Sequence, residues 1–130
     1  MTSEDRDRIS ALLTEVLRIL KSDAEVEPWN VSWSRILNQV ALWYNVSVSD
    51  ILSLDRSERV ATARWVALYY CAKVRRNDRD LGLFFRRDRT SVIYALQSVA
   101  AREQVDRKFR AELEAVGRIV SPQDGVSHFN

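Results

Sequence analysis

The residues best suited to chemistry lie in one stretch, 86–91, which reads Arg86, Arg87, Asp88, Arg89, Thr90 and Ser91. Apolar residues follow at helical spacing, so the arginines fall in the first turn of a predicted helix. Positive charge there opposes the helix dipole, whose N-terminal end already carries partial positive charge. A sequence that accepts this cost is expected to bind an anion at that turn.

Duplex DNA is an anion that these residue types are suited to read. Arg87 and Arg89 can each donate two hydrogen bonds to a guanine, and Thr90 and Ser91 can hydrogen-bond a base edge or a phosphate. The methyl group of Thr90 can also pack on a thymine methyl. Asp88 is expected to cap the helix, or alternatively to accept from a cytosine amino group.

Residues for other kinds of chemistry are missing or badly placed. The single histidine, His128, falls in a predicted frayed tail, and the single cysteine, Cys71, lies among apolar neighbours in a predicted helix. The spacings of zinc ligands are absent, and the three glycines are isolated, so no phosphate-cradling loop is present. We therefore expect no enzyme, no metal and no cofactor.

Helical periodicity runs along almost the whole chain, and no segment alternates with period two. We predict an all-α fold that contains a helix-turn-helix and an extra N-terminal amphipathic helix. The second helix is expected to begin near Ser32 or Ser34, and a short turn capped by Ser49 is expected to follow it. Further helices are expected over Glu58–Val74, over 79–85, from Asp88 onward and over Gln104–Val120. Val105 is expected on the core face of the last of these.

Three regions are predicted: an N-terminal helix with an acidic linker over 1–28, the DNA-binding domain over 29–120, and a flexible tail over 121–130. Thr2 or Ser3 can cap the first helix, with Asp5 completing a capping box. Its apolar stripe is Ile9, Leu12, Leu13, Val16, Leu17 and Leu20. The sequence 21–28, ending at Pro28, is expected to break this helix. The stripe can pack on the domain or pair with a partner or a second copy, and partner contact or dimerisation is the preferred expectation.

Aromatic residues at helical spacing are expected to pack in the core rather than to stack on bases. These are Trp43, Trp65, Tyr69, Tyr70, Phe84, Phe85 and Tyr94. Trp29 and Trp33 are expected to be exposed.

The net charge of +2 conceals a strong asymmetry. Residues 1–55 hold five Lys and Arg against nine Asp and Glu, 56–110 hold fourteen against six, and 111–130 hold one against three. A basic middle indicates a polyanionic partner. The chain has no secretory signal and no membrane-spanning run, so a cytoplasmic, nucleoid-associated location is expected.

Four ordered blocks resemble the C-terminal DNA-binding domain (domain IV) of the bacterial replication initiator DnaA. "RRDRTSVIYAL" is similar to that family's Arg-Asp-His-Ser/Thr-Thr-Val stretch, and "DLGLFF" to the helix before it. "ILNQVALWYNVSVSDILS" and "RSERVATARWVALYY" resemble the opening helix and the long arginine-containing helix. The match runs from about residue 34 to 120, and it implies a helix-turn-helix bundle like that of the Trp repressor. The absence of an ATPase module leads us to expect a stand-alone protein rather than a complete initiator.

The resemblance implies a role for particular residues. Positions 87–91 would form the turn that reads the major groove, and Arg86 adds to its positive charge. Arg56 would enter the adjacent minor groove, and Arg64 would support the DNA-facing side or contact a phosphate. The chain departs from the family at Arg89, which replaces a histidine, and in a basic loop where Asp55 and Glu58 flank Arg56.

We therefore predict a protein that binds double-stranded DNA with sequence bias and regulates replication or transcription. One alternative is a protein-interaction module that reuses the fold to bind an acidic partner. RNA binding is a weaker third option, because exposed aromatic platforms for single strands are not predicted.

Overall fold

A computed structural model describes residues 2–25 and 27–121, without the side chains of 18–25. It contains the helices α1 (Ser3–Glu25), α2 (Trp29–Tyr44), α3 (Val48–Leu52), α4 (Glu58–Val74), α5 (Asp78–Phe85), α6 (Arg89–Val105) and α7 (Arg107–Val120). No strand occurs in these ranges, and the predicted all-α class is confirmed. The predicted bounds of the long helix, Glu58 to Val74, are also confirmed.

Helix α4 is the centre of the domain, because α2, α3, α5, α6 and α7 all pack against it. One continuous apolar cluster joins these six helices. Its largest fully buried members are Trp33, Phe85, Ile36, Ile51, Leu68, Leu81 and Leu113. This core fixes α5 and α6 on one side of α4 and leaves the first turn of α6 at the surface.

Helix α2 begins earlier than expected, at Trp29 rather than near Ser32 or Ser34. Pro28 is its N-cap, and the Pro28 carbonyl already accepts from the Ser32 amide at 2.9 Å. This placement corrects the expected exposure of Trp33, which is fully buried and donates from Nε1 to the Cys71 carbonyl at 2.9 Å. Trp29 is 40% exposed, with the Arg75 guanidinium 4.4 Å from its ring.

Two other predicted boundaries are wrong. The cap of α3 is Ser47, not Ser49: the Ser47 hydroxyl accepts from the Asp50 amide while Asp50 accepts from the Ser47 amide. This reciprocal capping box stabilises the short helix. Val105 ends α6 and is 85% exposed instead of facing the core. The chain turns at Asp106, whose carboxylate caps α7 by accepting from the Phe109 amide at 3.0 Å.

Two of the aromatic residues also depart from the expected core packing. Trp43 is 44% exposed and Tyr94 is 63% exposed. Phe85 is fully buried, while Trp65, Tyr69, Tyr70 and Phe84 are partly buried against the core. Periodicity alone did not separate these groups, because the exposed and buried rings lie at similar helical spacing.

Helix α1 continues to Glu25, so the break expected over 21–28 is wrong for residues 21–25. The Thr2 hydroxyl accepts from the Asp5 amide at 3.1 Å, as the sequence predicts. The apolar stripe is exposed along its described length, at Ile9, Leu12, Leu13, Val16 and Leu17. The Leu20 side chain and the tail 122–130, with His128, lie outside the described residues. In the described ranges no helix is both long and apolar enough to cross a bilayer.

Candidate nucleic-acid interface

The turn between α5 and α6 carries the arginine stretch, and its backbone is tightly specified. Arg86 ends α5 in the left-handed conformation, with φ 59° and ψ 44°. The Arg87 amide donates to the Gly82 carbonyl at 2.8 Å and the Arg86 amide to the Leu83 carbonyl at 3.4 Å, which is a Schellman motif. A Cβ on Gly82 would lie 2.6 Å from the Arg87 carbonyl oxygen. Glycine at 82 therefore lets the turn fold back onto α5.

Asp88 begins α6 as its N-cap, which confirms the predicted capping role. Its Oδ1 accepts from the Ser91 amide at 2.7 Å, and this hydrogen bond is the main reason why the pKa of Asp88 is lowered. Arg89, Thr90 and Ser91 follow as the first three residues of α6, and all three are exposed. The carboxylate offsets the unfavourable effect of the arginines on the helix dipole.

Arg87 turns back into the protein. Its Nη1 donates to the carbonyls of Phe85 at 3.3 Å and of Arg86 at 3.2 Å, and its Nη2 donates to the Ser53 carbonyl. Burial lowers the pKa of Arg87. The side chain is partly buried, and it joins the α5–α6 turn to the segment after α3. Base readout by Arg87 remains a prediction, and it requires these three hydrogen bonds to be released.

Arg64 is the second arginine that holds this segment. It is 7% exposed, and its Nε donates to the Ile51 carbonyl at 2.7 Å. Its Nη2 donates at 3.0 Å to the carbonyls of both Ser53 and Asp55. Arg64 and Arg87 thus share the Ser53 carbonyl. Burial lowers the pKa of Arg64, and the nearby Arg87 charge lowers it further.

These contacts shape the loop 53–57, which carries Arg56 at its exposed tip. The Asp55 amide donates to the Ser53 hydroxyl at 3.1 Å, and the Ser57 amide donates to the Asp55 carboxylate at 2.7 Å. The hydrogen bond from Ser57 is the main cause of the lowered pKa of Asp55. Asp55 is therefore used within the loop, and Arg56 projects from it beside Leu54, which is 84% exposed.

The loop and the turn together enclose a basic cleft of about 350 Å³. Its walls are formed by Leu54, Arg56, Arg64, Arg86, Arg87, Asp88 and Ser91. Four guanidinium groups meet here with one carboxylate, and that carboxylate caps α6. Such a concentration of positive charge at an open surface suits a phosphate-bearing ligand.

The structure brings all eight predicted site residues to the loop, the cleft and the first turn of α6, and Arg64 is the buried member of this set. Sequence reasoning missed Leu54 and the shared Ser53 carbonyl. Neither has a signal in sequence, because one is a single apolar loop residue and the other is a backbone atom. No cluster of histidine, cysteine and carboxylate ligands that suits a metal occurs in the described ranges.

Two helices joined by a tight turn, the second with an exposed arginine-rich start, define a helix-turn-helix domain. Residues 33–99, more than half of the chain, match the family model described as "Bacterial dnaA protein helix-turn-helix". The chain belongs to this family, and the resemblance inferred from the four sequence blocks is confirmed.

Two curated relatives are chromosomal replication initiator proteins. The chain is 41% identical over 78 residues to the chromosomal replication initiator protein DnaA of Aquifex aeolicus, covering 58% of this chain and 20% of the relative. It is 31% identical over 119 residues to that of Brucella abortus, covering 90% and 23%. The chain thus spans about a fifth to a quarter of the curated relatives it matches. The part matched by the family model is the helix-turn-helix domain.

Proposed function

We propose that this protein binds double-stranded DNA with sequence preference, at sites of the kind that the initiator's helix-turn-helix domain recognises. The observation that carries the proposal is the basic cleft. In this cleft the tip of loop 53–57 lies beside the exposed first turn of α6, so both elements can contact the same duplex. Arginines on both elements supply the positive charge that phosphate binding needs.

We propose different roles for the residues of this surface. Arg89 and Thr90 are exposed at the start of α6, where a recognition helix contacts base edges in the major groove. We propose that Arg56, at the exposed tip of the loop, enters the adjacent minor groove. Arg64 and Arg87 hold the loop and the turn together through the Ser53 carbonyl. We assign these two arginines to positioning the interface, with their positive charge also facing phosphate.

The proposal is tested by fluorescence anisotropy of a labelled duplex at several salt concentrations. DNA binding predicts that log K falls linearly with log salt, with a slope of about −0.9 for each phosphate neutralised. Arg56→Ala is expected to weaken binding and, if Arg56 also neutralises a phosphate, to make the slope shallower by about one. Arg118→Ala, an exposed arginine on α7, is the matched control and should leave affinity unchanged. If the parent protein bound no duplex at any salt concentration, the proposal would be contradicted.

A competition assay distinguishes DNA binding from the rival function, which is binding of an acidic protein through the same face. A DNA-binding surface should prefer a specific duplex over a polyglutamate of equal charge. Preference for the acidic polypeptide would favour the protein-interaction module.

We further propose a regulatory role in replication or transcription, exerted in the cytoplasm at the nucleoid. A protein that carries this domain and reads related boxes would compete with an initiator for them. The test is displacement of a DnaA protein from its box by the purified protein. Displacement that is lost in Arg89→Ala supports the role, whereas simultaneous binding of both proteins contradicts it.

Helix α1 is proposed as the surface for a second copy of the chain. Its exposed stripe contains no charged residue, so its partner must be apolar, and a second α1 offers a stripe of equal length. These side chains are about half exposed, so burying each contributes about 1–1.5 kcal/mol, and ten of them across two copies contribute about 10–15 kcal/mol, comparable with an association cost of about 4–15 kcal/mol. Sedimentation analysis should show a dimer that Leu13→Asp converts to a monomer. A monomeric parent protein would refute this assignment.

A further inference from the structure

A second groove lies beside the recognition turn, between α4 and α6. Its volume is about 400 Å³. Trp65, Leu68, Tyr94 and Ala95 give it apolar walls, and Arg87, Thr90 and Ser91 lie at its polar end. We call it the aromatic groove. Because it shares Arg64, Arg87 and Ser91 with the basic cleft, the two depressions form one continuous surface.

Tyr94 is the prominent side chain of this groove. It is 63% exposed, although large aromatic residues are usually buried. It follows Thr90 by four residues and Ser91 by three, so all three share one face of α6. The opposite, core face of α6 is formed by Val92, Ala95 and Val99. Tyr94 therefore extends the face that begins with the residues expected to contact bases.

Trp65 packs against the ring of Tyr94. The ring centroids are 6.3 Å apart and the planes are inclined at 78°, an edge-to-face arrangement. Trp65 is partly buried against the core, so it is a rigid support. An aromatic ring held in this way keeps an exposed apolar surface at little cost in conformational entropy.

We propose that Tyr94 is a specificity-determining residue whose ring packs on the C5 methyl group of a thymine in the major groove. The inference rests on the proposed DNA binding. Tyr94 lies four residues beyond Thr90 on the same face of α6, which corresponds to about 6 Å along the helix, or about two base-pair steps. The thymine methyl is the one apolar group that base pairs present in that groove. An exposed ring without charge is complementary to it.

The test replaces thymines of a bound duplex one at a time by uracil, which removes only the methyl group. The duplex is first obtained by selection on the unmodified protein, and affinities are measured for the parent, Tyr94→Phe and Tyr94→Ala. At one thymine, uracil should weaken binding of the parent and of Tyr94→Phe by about fourfold, the value of one buried methyl group. Tyr94→Ala should bind thymine and uracil duplexes alike. Val105→Ala, an exposed apolar residue at the other end of α6, is the matched control and should behave as the parent.

The outcomes also separate this inference from the function on which it depends. If the parent binds no duplex, the proposed function fails. If it binds, but uracil has the same effect on Tyr94→Ala as on the parent, or no effect at any thymine, the assignment of Tyr94 is wrong. Equal weakening of specific and random duplex by Tyr94→Ala, with no dependence on thymine, would show a backbone contact instead and overturn the proposal.

Discussion

Arg87 and Arg89 are two residues apart, yet the structure predicts opposite consequences for their removal. Arg87 donates to the carbonyls of Phe85, Arg86 and Ser53, whereas Arg89 is exposed and has no hydrogen bond or ion pair within the described ranges. Arg87→Ala should therefore lower the stability of the fold. Arg89→Ala should instead lower the ability to discriminate between DNA sequences.

The magnitudes follow from these contacts. Hydrogen bonds to charged groups contribute about 1.5–3 kcal/mol each when well formed. The two bonds to Phe85 and Arg86 are longer than 3 Å, and water can replace a partly buried guanidinium. We expect a net loss of about 1–2 kcal/mol for Arg87→Ala, which lowers Tm by about 4–10 °C. For Arg89→Ala the stability change should stay within about 0.5 kcal/mol, while base discrimination should fall by about 1–3 kcal/mol.

The assay is a thermal melt of each variant, combined with the ratio of its affinities for specific and random duplex. Arg87→Ala should melt earlier and lose affinity for both duplexes to a similar extent. Arg89→Ala should melt with the parent and lose only the ratio. An Arg87→Ala protein with unchanged Tm and a collapsed ratio would show that Arg87 reads bases directly, and it would refute the positioning role.

Three further predictions address the turn itself. Arg86→Gly should raise the free energy of unfolding by about 0.5–1 kcal/mol, because glycine adopts the left-handed conformation without strain, and it should lower DNA affinity. The control is Asn45→Gly, at the matching position after α2 with φ 56°, which should change neither stability nor DNA affinity by much. Gly82→Ala should lower the free energy of unfolding by about 1–3 kcal/mol in a denaturant titration and weaken DNA binding, because the new Cβ meets the Arg87 carbonyl. The control is Gly117→Ala, whose Cβ meets the Tyr70 hydroxyl at 2.6 Å; it should lower stability but leave the DNA affinity of the folded protein unchanged. Asp88→Asn tests the cap: the folded pKa of Asp88 is lowered, so its contribution is complete above about pH 4–5 and disappears as pH falls through that lowered pKa. The difference in Tm between parent and Asp88→Asn should therefore shrink on acidification, and a constant difference would contradict the capping argument.

The sequence predicted those parts of the fold that depend on local patterns. Helix α4 was bounded correctly because a regular apolar face extends over its whole length, and Asp88 was recognised because an N-cap has a local chemical signature. The sequence indicates Ser49 as the cap of α3, whereas Ser47 has that role in the structure, and by residue type both are equally good caps. Only the contact between Ser47 and Asp50 decides between them.

The remaining errors concern contacts between distant residues. Trp33 is buried because its indole reaches the Cys71 carbonyl, 38 residues away. The site shows the same limit, since the sequence indicated which arginines cluster but not where each guanidinium points. The convergence of Arg64 and Arg87 on one backbone oxygen depends on how α3 and α5 pack against α4, and no spacing in the sequence encodes it.

The central claim is that the arginine turn reads DNA sequence. Its most direct test is selection of a fully randomised duplex pool on the purified protein, at about physiological salt, followed by sequencing of the retained DNA. We expect an enriched motif, and we expect Arg89→Ala to lose preference at one position of it. Retention of duplex without any motif would reduce the turn to a non-specific electrostatic surface. Retention of no duplex would contradict the account.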